Sequence, residues 1–243
     1  EILFDSGKAE VKEKGLDALS KVANILKDHS GDNDLIVVSA AGSTTNQLIN
    51  WMAALDKDGR IAHEILQELR QYQLDLITDL LPKEFAEPLL EKTSAEFTAL
   101  GEWIAPISYT QKNQILGHGE VWSSRLLAAL LSSKELPAIQ LDSRQFLRAD
   151  HGAQPEVDRA KSYPLLKSEL SQHSHNRIVI TGFMAQNAVG ETVLLGRNGS
   201  DYSATVIGAL AEATKVTIWS DVAGVYSADP RKVEDACLLP LLR

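Results

Sequence analysis

Cysteine is nearly absent: Cys237 is the only one in 243 residues. No intrachain disulfide framework is possible, and a reducing compartment, the cytoplasm, suits the chain. A lone thiol of this kind is expected to fill core space rather than perform chemistry. No apolar run approaches the ~20 residues of a membrane-spanning helix, so no membrane partner is expected. Positive charge is in deficit, with 24 Lys and Arg against 33 Asp and Glu and a net charge of −9. That balance argues against nucleic acid as a partner but leaves room for a local basic pocket. Glu1 to Lys8 lack the charged-then-apolar layout of a secretion signal. With no initiator methionine, the chain is expected to be an excised or processed segment. Two nucleotide signatures are missing, the Gly-x-x-x-x-Gly-Lys-Ser/Thr loop and a Gly-x-Gly-x-x-Gly after a strand. A P-loop kinase and a dinucleotide dehydrogenase are thereby disfavoured. No His or Cys group has zinc spacing, and no protein metal site is assigned.

The rest of the composition is ordinary for a globular protein, 44% hydrophobic and 23% charged. The length suits one α/β domain or two small ones. Residues 2–4 fit a short strand and residues 11–26 an amphipathic helix. Residues 34–41 form a β-branched run of the kind buried on both faces. Helices follow over 47–55, 60–81 and 84–100, the last two separated by Pro82 and suited to a lid or packing layer. Another helix follows the segment 114–120. Strands are expected at 138–141, 177–183, 193–195 and 215–220, with a helix over 164–170 and one starting near Tyr202. Strands alternating with helices imply a largely parallel sheet covered on both faces. Binding loops are then expected at the carboxyl ends of strands, here from Ser39, Gly182, Gly196 and Ser220.

Four clusters have the composition of a binding site. In Gly196-Arg-Asn-Gly-Ser-Asp-Tyr-Ser203 a strand ends at a glycine turn and a helix begins. Unpaired N–H groups at a helix start favour anions, and Arg197 adds a planar fork for a carboxylate or phosphate. The same letters serve equally as an ordinary N-cap, Ser200 or Asp201, after a surface loop. Gly117-His-Gly-Glu120 precedes a helix, where Glu120 is also simply favourable to the dipole. His118 lacks the orienting partner of a catalytic histidine. Ser39-Ala-Ala-Gly-Ser-Thr-Thr-Asn46 and Trp219-Ser-Asp-Val-Ala-Gly-Val-Tyr-Ser-Ala-Asp-Pro-Arg231 complete the set; each alone is also a plain turn.

Taken in order, these segments resemble aspartate kinases of the amino-acid kinase superfamily. The turn matches Gly-Arg-Gly-Gly-Ser-Asp-Tyr-Ser/Thr-Ala with one departure, Asn198 for glycine. The likeness runs from about Leu35 to Arg243 and is closest to the kinase portion of methionine-regulated bifunctional aspartokinase/homoserine dehydrogenases. It implies a three-layer α/β/α fold with a largely parallel central sheet, incomplete at both ends. It also implies phosphorylation of the L-aspartate side chain by ATP with Mg²⁺, the first step toward threonine, methionine and lysine. By the same resemblance, Thr45, Glu120, Arg197, Ser200 and Asp201 hold aspartate. Arg197, Ser200 and Asp201 serve the transfer, and Ser220, Asp221, Tyr226 and Arg231 surround the nucleotide. A homo-oligomer is implied for the full-length protein.

The family's opening Lys-Phe-Gly-Gly-Thr/Ser-Ser strand is missing. Residues 1–30 instead resemble an OmpA-like module, which leaves 31–243 as a kinase domain expected to be truncated at its C-terminus. Three readings are therefore carried forward. The first is an aspartate kinase, with turnover in doubt for want of that lysine. The second is a relative acting on glutamate, carbamate or a nucleotide monophosphate. The third is a non-catalytic, peptidoglycan-associated binding protein.

Overall fold

The computed structural model describes residues 34–173 and 177–218, with short further pieces at 227–228, 232–237 and 239. The strand expected at 2–4, the helix at 11–26 and most of the segment 219–231 lie outside the described residues.

Three parallel strands form the centre: β1 (Leu35–Val38), β2 (Ala138–Leu141) and β3 (Arg177–Thr181), in the order β1-β3-β2. Register pairs Val38 with Thr181 and Leu141 with Ile180. Successive side chains point to opposite faces. Val38 and Val179 accordingly join one core with Leu76, Ile77, Leu127 and Leu131. Val37, Ile178 and Ile180 join another with Phe146, Leu166, Val206 and Ile207. Helices cover both faces, as the alternation of elements predicts.

The first face carries α2 (Gly59–Leu80), α3 (Lys83–Gly101) and α5 (His118–Ser133). Asp58 caps α2 by accepting from the N–H groups of Arg60 and Ile61. Leu81 turns extended before Pro82, where the proline ring disfavours further helix. These helices are a packing layer rather than a lid: Leu66, Leu69, Phe97 and Leu100 are buried against α1 (Thr44–Leu55) and Trp122. The second face carries α6 (Arg159–Gln172) and α7 (Gly199–Leu210).

The helix expected after 114–120 is α5, and a separate helix before it, α4 (Tyr109–Leu116), is not expected from the sequence. A capping box, Ser108 with Gln111, starts α4. The helix is short and polar, and Gly117 joins it to α5, so it shows little apolar periodicity. A hairpin of β4 (Met184–Gln186) and β5 (Thr192–Leu194) follows β3; only the β5 run was legible. Residues 215–218, expected to begin a strand, join no ladder among the described residues, and Val216 and Ile218 are exposed. Cys237 is exposed rather than in the core, lying in a turn-rich stretch with its Sγ 3.5 Å from Ser227 Oγ.

One polar link fastens α3 to α5. Glu96 accepts from Trp122 Nε1 at 2.8 Å and from Arg125 Nη1 at 2.6 Å. Phe97 stacks on the Trp122 ring, 4.6 Å between centroids. Replacing Glu96 by Ala strands a guanidinium whose Nε already lacks a partner. The expected loss is about 2–3 kcal/mol, because hydrogen bonds to a charged group exceed neutral ones and both side chains are mostly buried. Denaturant titration reads it; an unchanged midpoint would remove Glu96 as the fastener.

Candidate functional site

The carboxyl ends of β1 and β3 lie side by side, and both loops leaving them turn toward α7. After β1 the chain runs through Ala40 and Ala41 to Gly42, where φ is +53°. α1 then begins at Thr44. After β3 comes Gly182, whose position admits no side chain. A Cβ there would stand 2.8 Å from Ser200 Oγ and 2.9 Å from the Val38 carbonyl. That close approach seats the first turn of α7 on the sheet. Gly182→Ala is expected to cost about 1–3 kcal/mol by overpacking and to displace Ser200. A thermal melt and a substrate titration on the same variant read the two effects.

The turn from β5 into α7 is left-handed at Gly196 (φ +77°) and again at Asn198 (φ +59°). Glycine and asparagine are the residues that visit this region most readily. The departure of Asn198 from the aspartate kinase pattern is therefore conservative in backbone terms. Asn198 also occupies the N-cap position, without a capping side-chain hydrogen bond. Ser200 and Asp201 lie inside the first helical turn, which corrects their reading as N-caps. Ser203 ties this turn down: its Oγ donates to the Gly199 carbonyl and accepts from the Phe183 N–H at 3.1 Å.

Thr45, Glu120, Phe183, Arg197 and Ser200 line one open cleft of about 260 Å³ together with Gly196, Asn198 and Gly199. Four of the five residues expected to hold substrate thus share one cleft. Asp201 is absent from its lining; its Oδ1 is buried without a hydrogen-bond partner. Phe183 had drawn no attention in the sequence. It sits at φ +66°, unusual for a bulky side chain, and it also borders a neighbouring groove with Arg197. The break of the apolar run at Gly182 was the available signal.

Glu120 is the most unusual group. It lies in the first turn of α5 and is 4% exposed. Oε1 accepts from the Ala40 N–H at 3.3 Å, while Oε2 is buried without a partner. Burial pushes its pKa up to about 8, against the opposing pull of backbone N–H groups. Arg197, on the other wall, is exposed. A buried carboxyl group and an exposed guanidinium lining one small cleft complement a molecule with both an ammonium and a carboxylate.

His118 is held otherwise. Nδ1 lies 3.1 Å from the carbonyls of both Gln114 and Ile115, and burial lowers its pKa. The ring is fixed by the end of α4. Ser220, Asp221, Tyr226 and Arg231 lie outside the described residues. Among the described residues no group of three His, Cys, Asp or Glu could hold a metal ion, and no helix is long and apolar enough to cross a membrane.

The bifunctional aspartokinase/homoserine dehydrogenase 2 of Escherichia coli is 57% identical over 224 residues, 92% of this chain and 28% of that protein. A chloroplastic bifunctional aspartokinase/homoserine dehydrogenase 1 of Zea mays is 32% identical over 92% of this chain and 25% of its own length. The crystal structure of E. coli aspartokinase III in complex with aspartate and ADP superposes with a TM-score of 0.75 at 29% identity. The match covers 91% of this chain and 49% of that one. The chain thus spans between a quarter and a half of the relatives it matches. The family model described as amino acid kinase family matches residues 4–243, a span that begins within the segment resembling an OmpA-like module. With helices on both faces of its parallel sheet and nearly its whole length matched, the chain belongs to the amino acid kinase family.

Proposed function

We propose that this chain is the kinase region of an aspartate kinase, transferring the γ-phosphoryl group of ATP to the side-chain carboxylate of L-aspartate. The observation that carries this is the pairing of Glu120 and Arg197 in one cleft with Thr45 and Ser200. An amino acid is a zwitterion. Glu120 Oε2 is an unpartnered buried acceptor suited to its ammonium, and Arg197 is a fork suited to a carboxylate. The complex of E. coli aspartokinase III with aspartate and ADP supports the same pair of ligands.

The chemistry asks little of the protein. A carboxylate oxygen of aspartate attacks the γ-phosphorus as the bond to the β–γ bridging oxygen breaks, giving 4-phospho-L-aspartate and ADP. The nucleophile is already an anion, so no base is needed. Alignment and charge stabilisation then carry the rate. Thr45, Glu120 and Arg197 hold the substrate, while Ser200 and Asp201, at the start of α7, organise the transfer. Ser220, Asp221, Tyr226 and Arg231 take the nucleotide. Mg²⁺, which in such sites keeps one or two protein carboxylates beside substrate phosphates, would be held here by this chain's acidic side chains. The unpartnered Oδ1 of Asp201 is an oxygen donor that fits, and the ion would neutralise phosphate charge there.

We assign this role to residues 31–243, within a longer cytoplasmic, homo-oligomeric protein that also carries homoserine dehydrogenase activity. Calorimetric titration with aspartate and a non-hydrolysable ATP analogue, followed by a coupled turnover assay, tests the reading. Aspartate should bind and be phosphorylated. Turnover with glutamate, carbamate or a nucleotide monophosphate in its place would move the chain to another branch of the family. Binding without turnover would point to the missing Lys-Phe-Gly-Gly strand.

A further inference from the structure

The helical layer on the first face of the sheet reaches the cleft through one buried amide. Gln73, in α2, is 3% exposed, and its Nε2 donates to Thr44 Oγ1 at 2.8 Å. The Thr44 hydroxyl, fully buried, donates in turn to the Ala41 carbonyl at 2.6 Å. A hydroxyl has one proton to give. With that proton committed to Ala41, Thr44 must accept from α2, which fixes the amide of Gln73 with its NH₂ group inward.

The two ends of this chain of bonds matter more than its middle. Thr45, the next residue, lines the cleft. Ala40, next to Ala41, supplies the N–H that holds Glu120 Oε1. The preceding residue of α2 grips the same turn: a Cβ on Gly42 would lie 2.7 Å from the Tyr72 hydroxyl. Glu120 is fitted from the other side, where a Cβ on Gly119 would lie 2.6 Å from the Ala40 Cβ. The turn therefore has little slack. Losing one stitch shifts Thr45 and the Ala40 amide together.

We infer that Gln73 is a positioning residue for substrate: through Thr44 it sets the β1–α1 turn that presents Thr45 and fixes Glu120. This rests on the reading of the cleft as an amino-acid site. A glutamine that merely satisfied Thr44 in the core would affect stability without touching ligand affinity.

The test measures aspartate affinity by calorimetry and the melting temperature, on the whole 243-residue chain. Q73L removes the donor at nearly constant volume; T44V removes the relay, and T44S restores it. Q73L and T44V are each expected to weaken aspartate binding about tenfold, the scale of one hydrogen bond's contribution to holding a turn. T44S should bind within about twofold of wild type. A Q73L protein that melts lower yet binds aspartate with unchanged affinity overturns the inference. Should Q73L fail to fold, T44V decides on the same criterion. Wild-type protein that binds no aspartate overturns the functional reading and this role with it. Wild type that binds beside a variant binding equally well overturns the positioning role alone.

Discussion

Glu120→Gln should make the protein more stable in mild alkali while abolishing its recognition of an amino group. Burial raises the Glu120 pKa from an ordinary carboxylate value to about 8. In the unfolded chain the group ionises near pH 4.5. Between those values the folded state holds a proton that the unfolded state has lost. Stability is therefore full below pH 4.5 and falls as pH rises toward 8. Glutamine keeps an oxygen for the Ala40 N–H and carries no charge to desolvate, so the variant lacks this slope. At pH 5 the two proteins should differ little. Near pH 9 the variant should be ahead by about 3–4 kcal/mol, or roughly 10 °C in melting temperature for a chain of this size. Melts across that range read the effect, and parallel profiles for the two proteins would mean that Glu120 titrates normally.

The same proton links stability to ligand. An ammonium beside Oε2 favours the ionised carboxylate. Near neutral pH, aspartate binding to wild type should release a proton, seen as a dependence of the calorimetric enthalpy on the buffer. Affinity should rise toward pH 8 and then level off. Glu120→Gln should release no proton and should lose at least tenfold in affinity, since a neutral amide replaces a charged partner. A structural glutamate would show the stability slope without the linked proton.

Much of this arrangement was written in local letters. Strand β2 was legible at both ends because Ala138 to Leu141 is a short, mostly apolar run between Pro137 and Asp142. The boundary between α2 and α3 followed from Pro82. The cleft was legible from order rather than from spacing: Thr45, Glu120 and the turn carrying Arg197 and Ser200 lie far apart in the chain and become neighbours through the parallel crossings. What escaped depended on the partner across the gap. Gln73, four residues after Leu69 and three before Leu76, stands on the buried face of α2 while Gln71 is exposed; the letters do not say that its partner there is Thr44. Phe183 read as the end of a strand because a positive φ leaves no mark in the letters; β3 stops at Thr181, and Phe183 lies in the short turn into β4.

Arg197→Ala should weaken aspartate binding by about 3 kcal/mol, roughly a hundredfold, the scale expected when one side of a charged hydrogen-bonded pair is truncated. Arg197 stands in the left-handed turn between Gly196 and Asn198, its side chain reaching the cleft without fastening to another element by any described ion pair or hydrogen bond. Such a side chain contributes little to folding, so the melting temperature of the free protein should move by less than ~2 °C. The effect should fall on aspartate affinity with the nucleotide analogue held more nearly as before. Lysine in its place keeps the charge but not the planar fork, and should recover only part of the loss. Glu120→Gln and Arg197→Ala together separate the two ends of the substrate. The first should abolish proton release while leaving carboxylate recognition; the second should weaken binding and leave the released proton in place. An Arg197→Ala protein that binds aspartate as wild type does would take the guanidinium out of the site and leave the cleft with a single charged wall.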